Sequence, residues 1–531
     1  MQLKRCLPMA AAMVAAMLVT ASGVDAKTFR YATTGDILGL DPHANNEGPT
    51  NAMKGNIYGR LIHRKPDLSL VPDLATSWER LDDTTWRFKL RSGVTFHNGS
   101  AFNADDVVFS FKRQKTSASM SFALSSVEDL RKVDDLTVEI ITKGPDPILL
   151  LNMPNFYIVD QDWIEANNAF EVIDVAGATN FANLKANGTG PFKLVEWVQD
   201  NRIVLEPFDN FWNKANIDSN VTKAVFTPIP NNATRVAALL SGEIDLMYPV
   251  PLQDIPRLDA DANVGVLQGP ELRTIFLGFD QWRDESLDMP GSGKNPFKDV
   301  RVRKAFAHAI DTKAIQRVVM RGASTPTGLM VAPGINGFQE DMNTPYGHDP
   351  DEAKRLLAEA GYPDGFPVTL DCPNDRYVND EAICTASVPM LERIGIKVTL
   401  NAQTKSLHFN KIGKPENYNT SFFMLGWTPG SYDAYNPLQN LMTIDGDAQG
   451  AWNCGRYSNP EVERLTDMIA VEVDETKRND LIRQAFKIHQ EEVGHLTLHQ
   501  QALAWGQRSD TVAKVWQRPF NDVDLRYVTM K

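Results

Sequence analysis

Short apolar runs that suit β-strands alternate with helical patterns along nearly the whole sequence. Thr85–Leu90 alternates between apolar and polar side chains, as a half-buried strand does. Asp351–Ala360 has the apolar spacing of a helix, and Ile396–Leu400 is again a strand-like run. Such an alternation predicts an α/β or α+β fold. The chain has 531 residues, which is too many for one ordinary domain, so we expect two or three domains.

The clearest break in the sequence is Met289–Pro296, a linker rich in Pro, Gly and Ser. A helical pattern over Val302–Ile310 follows directly, and Asp311 is placed to cap the next helix. The linker therefore predicts a boundary between two folded parts. Further elements are predicted as a strand over Val133–Thr142, helices over Pro460–Glu472 and Glu475–Glu492, and a strand over Leu496–His499.

The composition is that of a globular, acidic protein. Hydrophobic residues make up 43% and charged residues 23%, which excludes a disordered chain. The net charge is -13, and no block of Lys and Arg is longer than a pair or triplet. The sequence therefore gives no electrostatic support for nucleic-acid binding.

The N-terminus has the three parts of an export signal. Lys4 and Arg5 are basic, Leu7–Val19 is an apolar run too short to span a bilayer comfortably, and small residues lead to Ala26. We therefore predict that residues 1–26 are a signal peptide and that the mature chain starts near Lys27. The alternative is a short buried N-terminal helix. No later apolar run is long enough to cross a membrane, so we expect a soluble, exported protein.

Export would place the cysteines in an oxidising compartment. Cys6 would leave with the signal peptide, so that Cys372, Cys384 and Cys454 remain. Cys372 ends a strand-like run and Cys384 lies early in a helical pattern, and a short excursion between them could bring the two within bridging distance. We predict a Cys372–Cys384 disulfide and a free Cys454. The alternative is three buried thiols.

The sequence contains no strong catalytic or metal-binding motif. The G-x-S-x-G elbow, the G-x-x-x-x-G-K-[ST] phosphate loop and the H-E-x-x-H metal motif are all missing. His489, His495 and His499 cluster in sequence, but a strand at this point would put the last two about 13 Å apart. We therefore predict no catalytic residue, no metal site and no cofactor.

The stretch Ser421–Met442 is the most suggestive of binding. A short apolar strand pattern meets Gly426 and Trp427 and then breaks into a loop that carries Tyr432 and Asp433. Binding residues tend to lie on loops that a rigid scaffold holds in place. The alternative is that Trp427 and Tyr432 are ordinary core residues under a long loop.

Sequence blocks in a characteristic order resemble the extracellular solute-binding protein family 5, which serves ABC importers of di- and oligopeptides. The resemblance runs from about Phe29 to the C-terminus. The blocks are Leu74-Ala-Thr-Ser-Trp-Glu, Trp86-Arg-Phe-Lys-Leu-Arg, Val94-Thr-Phe-His-Asn-Gly, Phe102-Asn-Ala-Asp-Asp-Val-Val-Phe-Ser, Gly188-Thr-Gly-Pro-Phe, Phe211-Trp-Asn, Ser241-Gly-Glu-Ile-Asp, Asn295-Pro-Phe-Lys-Asp-Val-Arg-Val-Arg-Lys-Ala, Leu356-Leu-Ala-Glu-Ala-Gly-Tyr, Ile394-Gly-Ile-Lys-Val and Tyr457-Ser-Asn-Pro-Glu-Val.

The resemblance implies an α/β fold of the periplasmic binding protein type, with two lobes around a hinge. Lobe I would comprise residues 27–60, 188–280 and 504–531. An extra subdomain of lobe I would cover residues 61–187, and lobe II would cover residues 281–503. The lobes would close on a solute and bury it between them.

The function implied by the resemblance is that of a periplasmic receptor. It would capture a small solute, most simply a di- or oligopeptide, and deliver it to an inner-membrane ABC permease with its ATPase. The receptor would be a monomer, would not be an enzyme, and would bind no nucleic acid. Two alternatives from other classes are an exported hydrolase and a chaperone-like binder of unfolded chains.

A peptide buried with both termini charged needs a cation for its carboxylate and an anion for its amine. The resemblance places Arg376 at the position of a carboxylate-binding Arg. At the family's amine-binding Asp this sequence has Gly430, and Asp433 is the nearest carboxylate. Either Asp433 takes that role or the solute lacks a peptide-like amine. The alternative solutes are an opine, a sugar, glutathione, a metal chelate or haem. The predicted ligand-binding residues are Thr34, Gly35, Asp36, Ile37, Arg376, Gly426, Trp427, Thr428, Tyr432 and Asp433.

Overall fold

A computed structural model describes residues 27–173, 179–413, 418–444 and 449–531. The predicted signal peptide, residues 1–26, lies outside the described residues. Within the described ranges, no helix is both long and apolar enough to cross a membrane.

The strands are β1 (Thr28–Thr33), β2 (Ile62–Arg64), β3 (Leu70–Pro72), β4 (Ala75–Arg80), β5 (Thr85–Leu90), β6 (Val127–Asp134), β7 (Thr137–Thr142), β8 (Phe192–Val198), β9 (Arg202–Pro207), β10 (Lys223–Pro228), β11 (Leu246–Met247), β12 (Val264–Phe279), β13 (Thr325–Pro326), β14 (Pro367–Pro373), β15 (Lys397–Gln403), β16 (Phe422–Trp427), β17 (His495–Arg508), β18 (Val512–Lys514) and β19 (Thr529–Met530).

The α-helices are α1 (Gly48–Ile57), α2 (Ala104–Gln114), α3 (Leu149–Asn152), α4 (Gln161–Ala166), α5 (Phe181–Leu184), α6 (Asn232–Ser241), α7 (Ile255–Asp259), α8 (Val300–Ala309), α9 (Thr312–Ala314), α10 (Pro350–Glu359), α11 (Asp380–Glu392), α12 (Lys405–Ile412), α13 (Tyr435–Leu441), α14 (Pro460–Val471) and α15 (Glu475–Glu491). A π-helical turn, Ile315–Val319, follows α9.

One large sheet runs through the molecule in the order β15-β14-β16-β12-β17-β11-β1-β10-β9-β8. The long strands β12 and β17 pair antiparallel in its middle, and the other strands lie on either side of them. We call the side with β11, β1, β10, β9 and β8 the first lobe, and the side with β16, β14 and β15 the second lobe. The two crossing strands therefore join the lobes of a two-lobed α/β fold.

The crossing strands are interrupted where they pass from one lobe to the other. Pro270 pairs with Ala502 and Thr274 pairs with Gln500, so three residues of β12 lie opposite the single residue Gln501. Such β-bulges re-aim side chains and are common beside functional sites. Here the bulge directs the charged residues of 271–273 out of the regular ladder.

A separate four-stranded antiparallel sheet, in the order β4-β5-β7-β6, packs on the first lobe. It has its own buried core, which includes Phe88, Phe96 and Ile140. Helix α2 covers this core, and Asn103 and Asp106 form a capping box at its N-terminus. Ile62 of β2, Met153 and Phe156 lie in the same core, so we call the part of the chain from β2 to Phe156 the extra subdomain.

Several predicted elements are confirmed with their bounds within a few residues. The half-buried strand over Thr85–Leu90 is β5, and the two helices near the C-terminus are α14 and α15. The strand predicted over Val133–Thr142 is present as β7, but it begins at Thr137 because a turn at residues 135–136 separates it from β6. The sequence reading also missed β12, whose charged bulge breaks the alternation expected of a strand.

Candidate functional site

Two loops of the second lobe start side by side. Strands β14 and β16 are parallel, with Leu370 opposite Phe422 and Asp371 opposite Phe423. Because parallel strands end at the same edge of a sheet, residues 374–379 and 428–434 follow their strands at that edge. Ligands of open α/β sheets bind at such edges, beyond the carboxyl ends of the strands. These two loops therefore form the candidate site.

Arg376 lies on the first of these loops, and its side chain is exposed to solvent. Its guanidinium carbon lies 5.1 Å from the centroid of the Tyr377 ring. The pKa of Arg376 is below its ordinary value because the surrounding protein desolvates the guanidinium and because Arg273 is close. The guanidinium is therefore open to water although Arg273 and Tyr377 lie close to it. Within the described ranges, Arg376 forms no ion pair with an Asp or Glu residue.

The loop that carries Arg376 is held at both ends. Asp380, at the start of α11, accepts hydrogen bonds from the backbone N–H groups of Arg376 (2.8 Å) and Tyr377 (2.9 Å). The predicted disulfide is present and joins Cys372 to Cys384, with their Cα atoms 6.6 Å apart. The backbone under Arg376 is therefore fixed.

The bulge of β12 reaches the same place. The Arg273 Nη2 atom lies 3.2 Å from the Glu271 carboxylate, and Arg273 Nε donates a 3.0 Å hydrogen bond to Thr428 Oγ1. Gln501, opposite the bulge, donates from Nε2 to Glu271 at 2.5 Å and accepts from the Val378 N–H at 3.0 Å. These residues connect the crossing strands to both site loops. Sequence reasoning missed them because it did not predict β12.

Gly426 and Trp427 end β16 beside this cluster. The Tyr377 hydroxyl donates to the Gly426 carbonyl at 3.4 Å. A Cβ atom at Gly426 would lie 2.7 Å from both Ile275 and Tyr377, so only glycine fits. Trp427 is half-buried and its indole N–H donates to Asn436 at 2.8 Å. Part of its surface remains free, and its role in ligand binding stays a prediction.

Asp433 is not available to a ligand, which contradicts the predicted role. Its side chain is fully buried. The Arg478 guanidinium donates to both carboxylate oxygens, at 2.6 and 2.8 Å, and Asn336 Nδ2 donates at 2.6 Å. The Tyr435 N–H donates to the same carboxylate at 2.8 Å. With every acceptor direction used, Asp433 ties its loop to α15 instead of facing the cleft.

Tyr432 is also engaged by the protein, against the prediction that it contacts the ligand. The Arg64 guanidinium carbon lies 3.8 Å from the centroid of its ring. The Phe520 ring stacks on Tyr432 with centroids 5.1 Å apart and an interplanar angle of 25°. These neighbours leave the tyrosine 8% exposed. Two partners therefore occupy the ring that was expected to meet a solute.

The first-lobe loop that follows β1 carries four of the predicted ligand contacts, Thr34, Gly35, Asp36 and Ile37. Asp36 accepts hydrogen bonds from the Trp197 indole N–H at 3.0 Å and from the Asp200 N–H at 2.8 Å. Ile37 is buried in the first-lobe core, whereas Thr34 is exposed and Gly35 is partly exposed. The Asp36 side chain is hydrogen-bonded within the protein and the Ile37 side chain is packed in the core. The ligand contacts predicted at all four positions stay predictions.

Glu47 is a first-lobe residue that sequence reasoning missed. It caps α1, where Oε1 accepts from the Thr50 N–H at 2.8 Å. The pKa of Arg376 is governed mainly by desolvation, but the negative charge of Glu47 raises it, as does that of Glu271. Glu271 is buried and paired with Arg273, whereas Glu47 is partly exposed. Nothing in the local sequence distinguished Glu47 from an ordinary helix cap.

The described part of the chain contains no group of three or more His, Cys, Asp or Glu side chains that could hold a metal ion. The ring nitrogens of His489 and His495 lie 2.9 Å apart, and burial lowers the pKa of His495 to about 3. The strand predicted at this point is confirmed as part of β17. Cys454 is a buried free thiol whose pKa is raised by burial to about 12.

The fold and sequence match known binding proteins over nearly the whole chain. Residues 69–449 match the family model described as bacterial extracellular solute-binding proteins, family 5 Middle. The "Dipeptide-binding protein" of Escherichia coli is 30% identical over 497 residues, which cover 88% of each chain. "Heme-binding protein A" of Haemophilus influenzae is 30% identical over 486 residues, covering 86% of this chain and 84% of that protein.

The structure of HbpA2 from Haemophilus parasuis superimposes with a TM-score of 0.78 and 25% identity, covering 95% of this chain and 100% of that one. The match includes both lobes and the extra subdomain. The family members are solute-binding proteins and not enzymes, so the hydrolase alternative is set aside. The chain belongs to family 5 of the bacterial extracellular solute-binding proteins.

Proposed function

We propose that this protein is the receptor of an ABC importer for short peptides with a free C-terminal carboxylate. The observation that carries the proposal is that the exposed guanidinium of Arg376, on one of the two site loops, pairs with no carboxylate of the described residues. A guanidinium that binds both oxygens of a carboxylate is well suited to this role. The dipeptide-binding relative and the family membership support the same class of ligand.

Charge balance supports an ionic ligand at this place. Closing the lobes over Arg376 would remove its remaining water, at a cost of several kcal/mol for an unpaired ion. A ligand carboxylate removes that cost, whereas an uncharged sugar does not. The neighbouring Arg273 is already neutralised by Glu271 and does not compete for the carboxylate.

We assign the peptide amine to Glu47. Asp433 is consumed by Arg478, and Gly430 has no side chain. Glu47 lies in the first lobe and has one carboxylate oxygen engaged by its own helix. An acid in one lobe and a base in the other would make a zwitterion a link between the lobes.

The export, the oligomeric state and the domain bounds of the protein are also proposed. We propose that residues 1–26 direct export and that the mature protein works as a monomer in the periplasm. Lobe I would comprise residues 27–60, 188–280 and 504–531, with the extra subdomain at 61–187 and lobe II at 281–503. Lobe closure would create the surface that docks on the permease.

The test is native mass spectrometry of the protein purified from cells, followed by a thermal-shift screen of di-, tri- and tetrapeptides, opines and sugars. A ligand at 100 times its Kd should add about 2.7 kcal/mol to the free energy of unfolding. We expect peptides to raise the melting temperature. Shifts by sugars alone would contradict the proposal, and shifts by carboxylates without an amine would remove the role of Glu47.

A further inference from the structure

Tyr432 reaches out of its own lobe. It lies on the loop after β16 in the second lobe, whereas Arg64 ends β2. Phe520 packs against the core around Tyr432, but it belongs to the C-terminal segment whose Val523 and Leu525 lie in the first-lobe core. Its φ of 58° lies in the left-handed region, which a tyrosine rarely adopts. Backbone strain of this kind persists where the surrounding structure requires it, and functional loops are common places for it.

The Arg64 guanidinium is held in place for this contact. Nη1 donates to the Leu68 carbonyl at 3.1 Å and Nη2 donates to the Leu151 carbonyl at 2.9 Å. The side chain is buried, and desolvation lowers the pKa of Arg64 to about 10. A desolvated cation over an aromatic ring interacts more strongly than an exposed one.

Other contacts near Tyr432 also join the second lobe to the extra subdomain. Asn155 of the extra subdomain donates from Nδ2 to the Gly430 carbonyl at 3.3 Å. Leu68, in the turn between β2 and β3, packs closely on the second lobe, since a Cβ at Gly334 would lie 3.0 Å from it. The extra subdomain and the second lobe therefore meet at several places around Tyr432.

We propose that Tyr432 is a positioning residue that holds the second lobe against the extra subdomain, and that this contact sets the equilibrium between closed and open lobes. The extra subdomain then contacts the second lobe in the closed state. The ligand affinity therefore depends on residues that do not touch the ligand. The inference rests on lobe closure, which is part of the proposed function. Its test needs no ligand, so a failure of peptide binding would leave this test unaffected.

The two contacts of the Tyr432 ring set the size of the expected effect. A buried cation–π contact and an aromatic stacking contact each correspond to on the order of a tenfold change in an equilibrium constant. Loss of either partner should lower the ratio of closed to open molecules by about that factor. The apparent ligand affinity would fall in proportion to the closed fraction.

The experiment compares ligand-free wild type with Tyr432→Leu, Arg64→Met and Phe520→Leu by small-angle X-ray scattering and hydrogen–deuterium exchange. We expect a larger radius of gyration and faster exchange at residues 430–435 in all three variants. Tyr432→Phe keeps the ring between its two partners and should match wild type. Circular dichroism and melting curves identify any variant that fails to fold, and the other two then decide.

The matched control is Arg91→Met. Arg91 lies over the Trp212 ring at 3.9 Å, a contact of the same kind that involves no residue of the second lobe. This variant should scatter like wild type. The proposal is overturned if the folded Tyr432, Arg64 and Phe520 variants scatter and exchange like wild type, or if Arg91→Met opens the molecule to the same extent.

Discussion

The two loops at the edge of the second lobe are built from similar residue types but are used differently. The loop after β14 carries Arg376, a cation that no described carboxylate neutralises. The loop after β16 carries Tyr432 and Asp433, and the protein itself occupies both. Charged and aromatic side chains on a cleft loop therefore do not by themselves mark a ligand site. What distinguishes the first loop is a cation that pairs with no carboxylate of the described residues.

The largest effect should follow from breaking the buried ion pair of the second loop. Asp433→Ala leaves the Arg478 guanidinium buried without its carboxylate, which should cost about 3–5 kcal/mol of unfolding free energy. Urea unfolding followed by circular dichroism measures the loss. Replacing both partners, as Asp433→Leu with Arg478→Met, should recover part of it. A loss of less than about 1 kcal/mol for Asp433→Ala would show that the pair does not hold the loop.

The corresponding change in the first loop should act on binding and spare stability. The test uses a peptide that raises the melting temperature of wild type. Arg376→Ala should weaken the binding of this peptide by about 2–5 kcal/mol. Its unfolding free energy should change by no more than about 0.5 kcal/mol, because the side chain is exposed. Isothermal titration calorimetry measures the affinity, and the exposed Arg393→Ala in the same lobe is the control. Equal affinities for both variants would remove Arg376 from the site.

The first loop is held by a disulfide where the second is held by an ion pair. Cys372 and Cys384 are 12 residues apart, so their cross-link should contribute about 3 kcal/mol through the unfolded chain. The double variant Cys372→Ala, Cys384→Ala should lose that amount in urea unfolding. Reducing agent should destabilise wild type similarly and leave the double variant unchanged. A response of the double variant to reductant would point to another cysteine.

Much of this architecture could be predicted from the sequence, because local patterns determine it. The capping box of α2, the regular strand β5 and the disulfide follow from residues close in the chain. The bulge at residues 271–273 could not be predicted from the sequence, because it exists only through the pairing of β12 with β17. The partner of Asp433 is 45 residues away in sequence, and the neighbours of Tyr432 come from other bodies of the fold. Sequence shows which groups are available, but contacts decide which of them remain free.

A smaller effect is expected at the first-lobe acid. Glu47→Gln removes the charge that we assign to the ligand amine while keeping an oxygen for the helix cap. Affinity for a zwitterionic peptide should fall by about 1–2 kcal/mol, in the range of a hydrogen bond to a charged group. The N-acetylated form of the same peptide should bind both proteins equally in calorimetry. If the N-acetylated peptide also binds the variant more weakly than wild type, Glu47 does not bind the peptide amine.

The smallest change should come from restoring an acid to the second loop. A Cβ at Gly430 would lie 3.8 Å from Phe122, an ordinary contact, so Gly430→Asp should change the unfolding free energy by less than about 1 kcal/mol. Gly430 lies against Phe122 and Asn155 of the extra subdomain, so we expect no gain in peptide affinity. Thermal unfolding and calorimetry measure the two quantities. Tighter peptide binding would mean that the amine reaches the second loop after all.

The proposed function depends most on the binding of a ligand carboxylate by the guanidinium of Arg376. The direct measurement is a thermal-shift and calorimetric comparison of a short-peptide library with the same library carrying C-terminal amides. We predict that peptides with a free carboxylate bind wild type and that their amides bind at least tenfold more weakly. Arg376→Ala should abolish this difference. Equal binding of acids and amides to wild type would contradict the proposed role of Arg376.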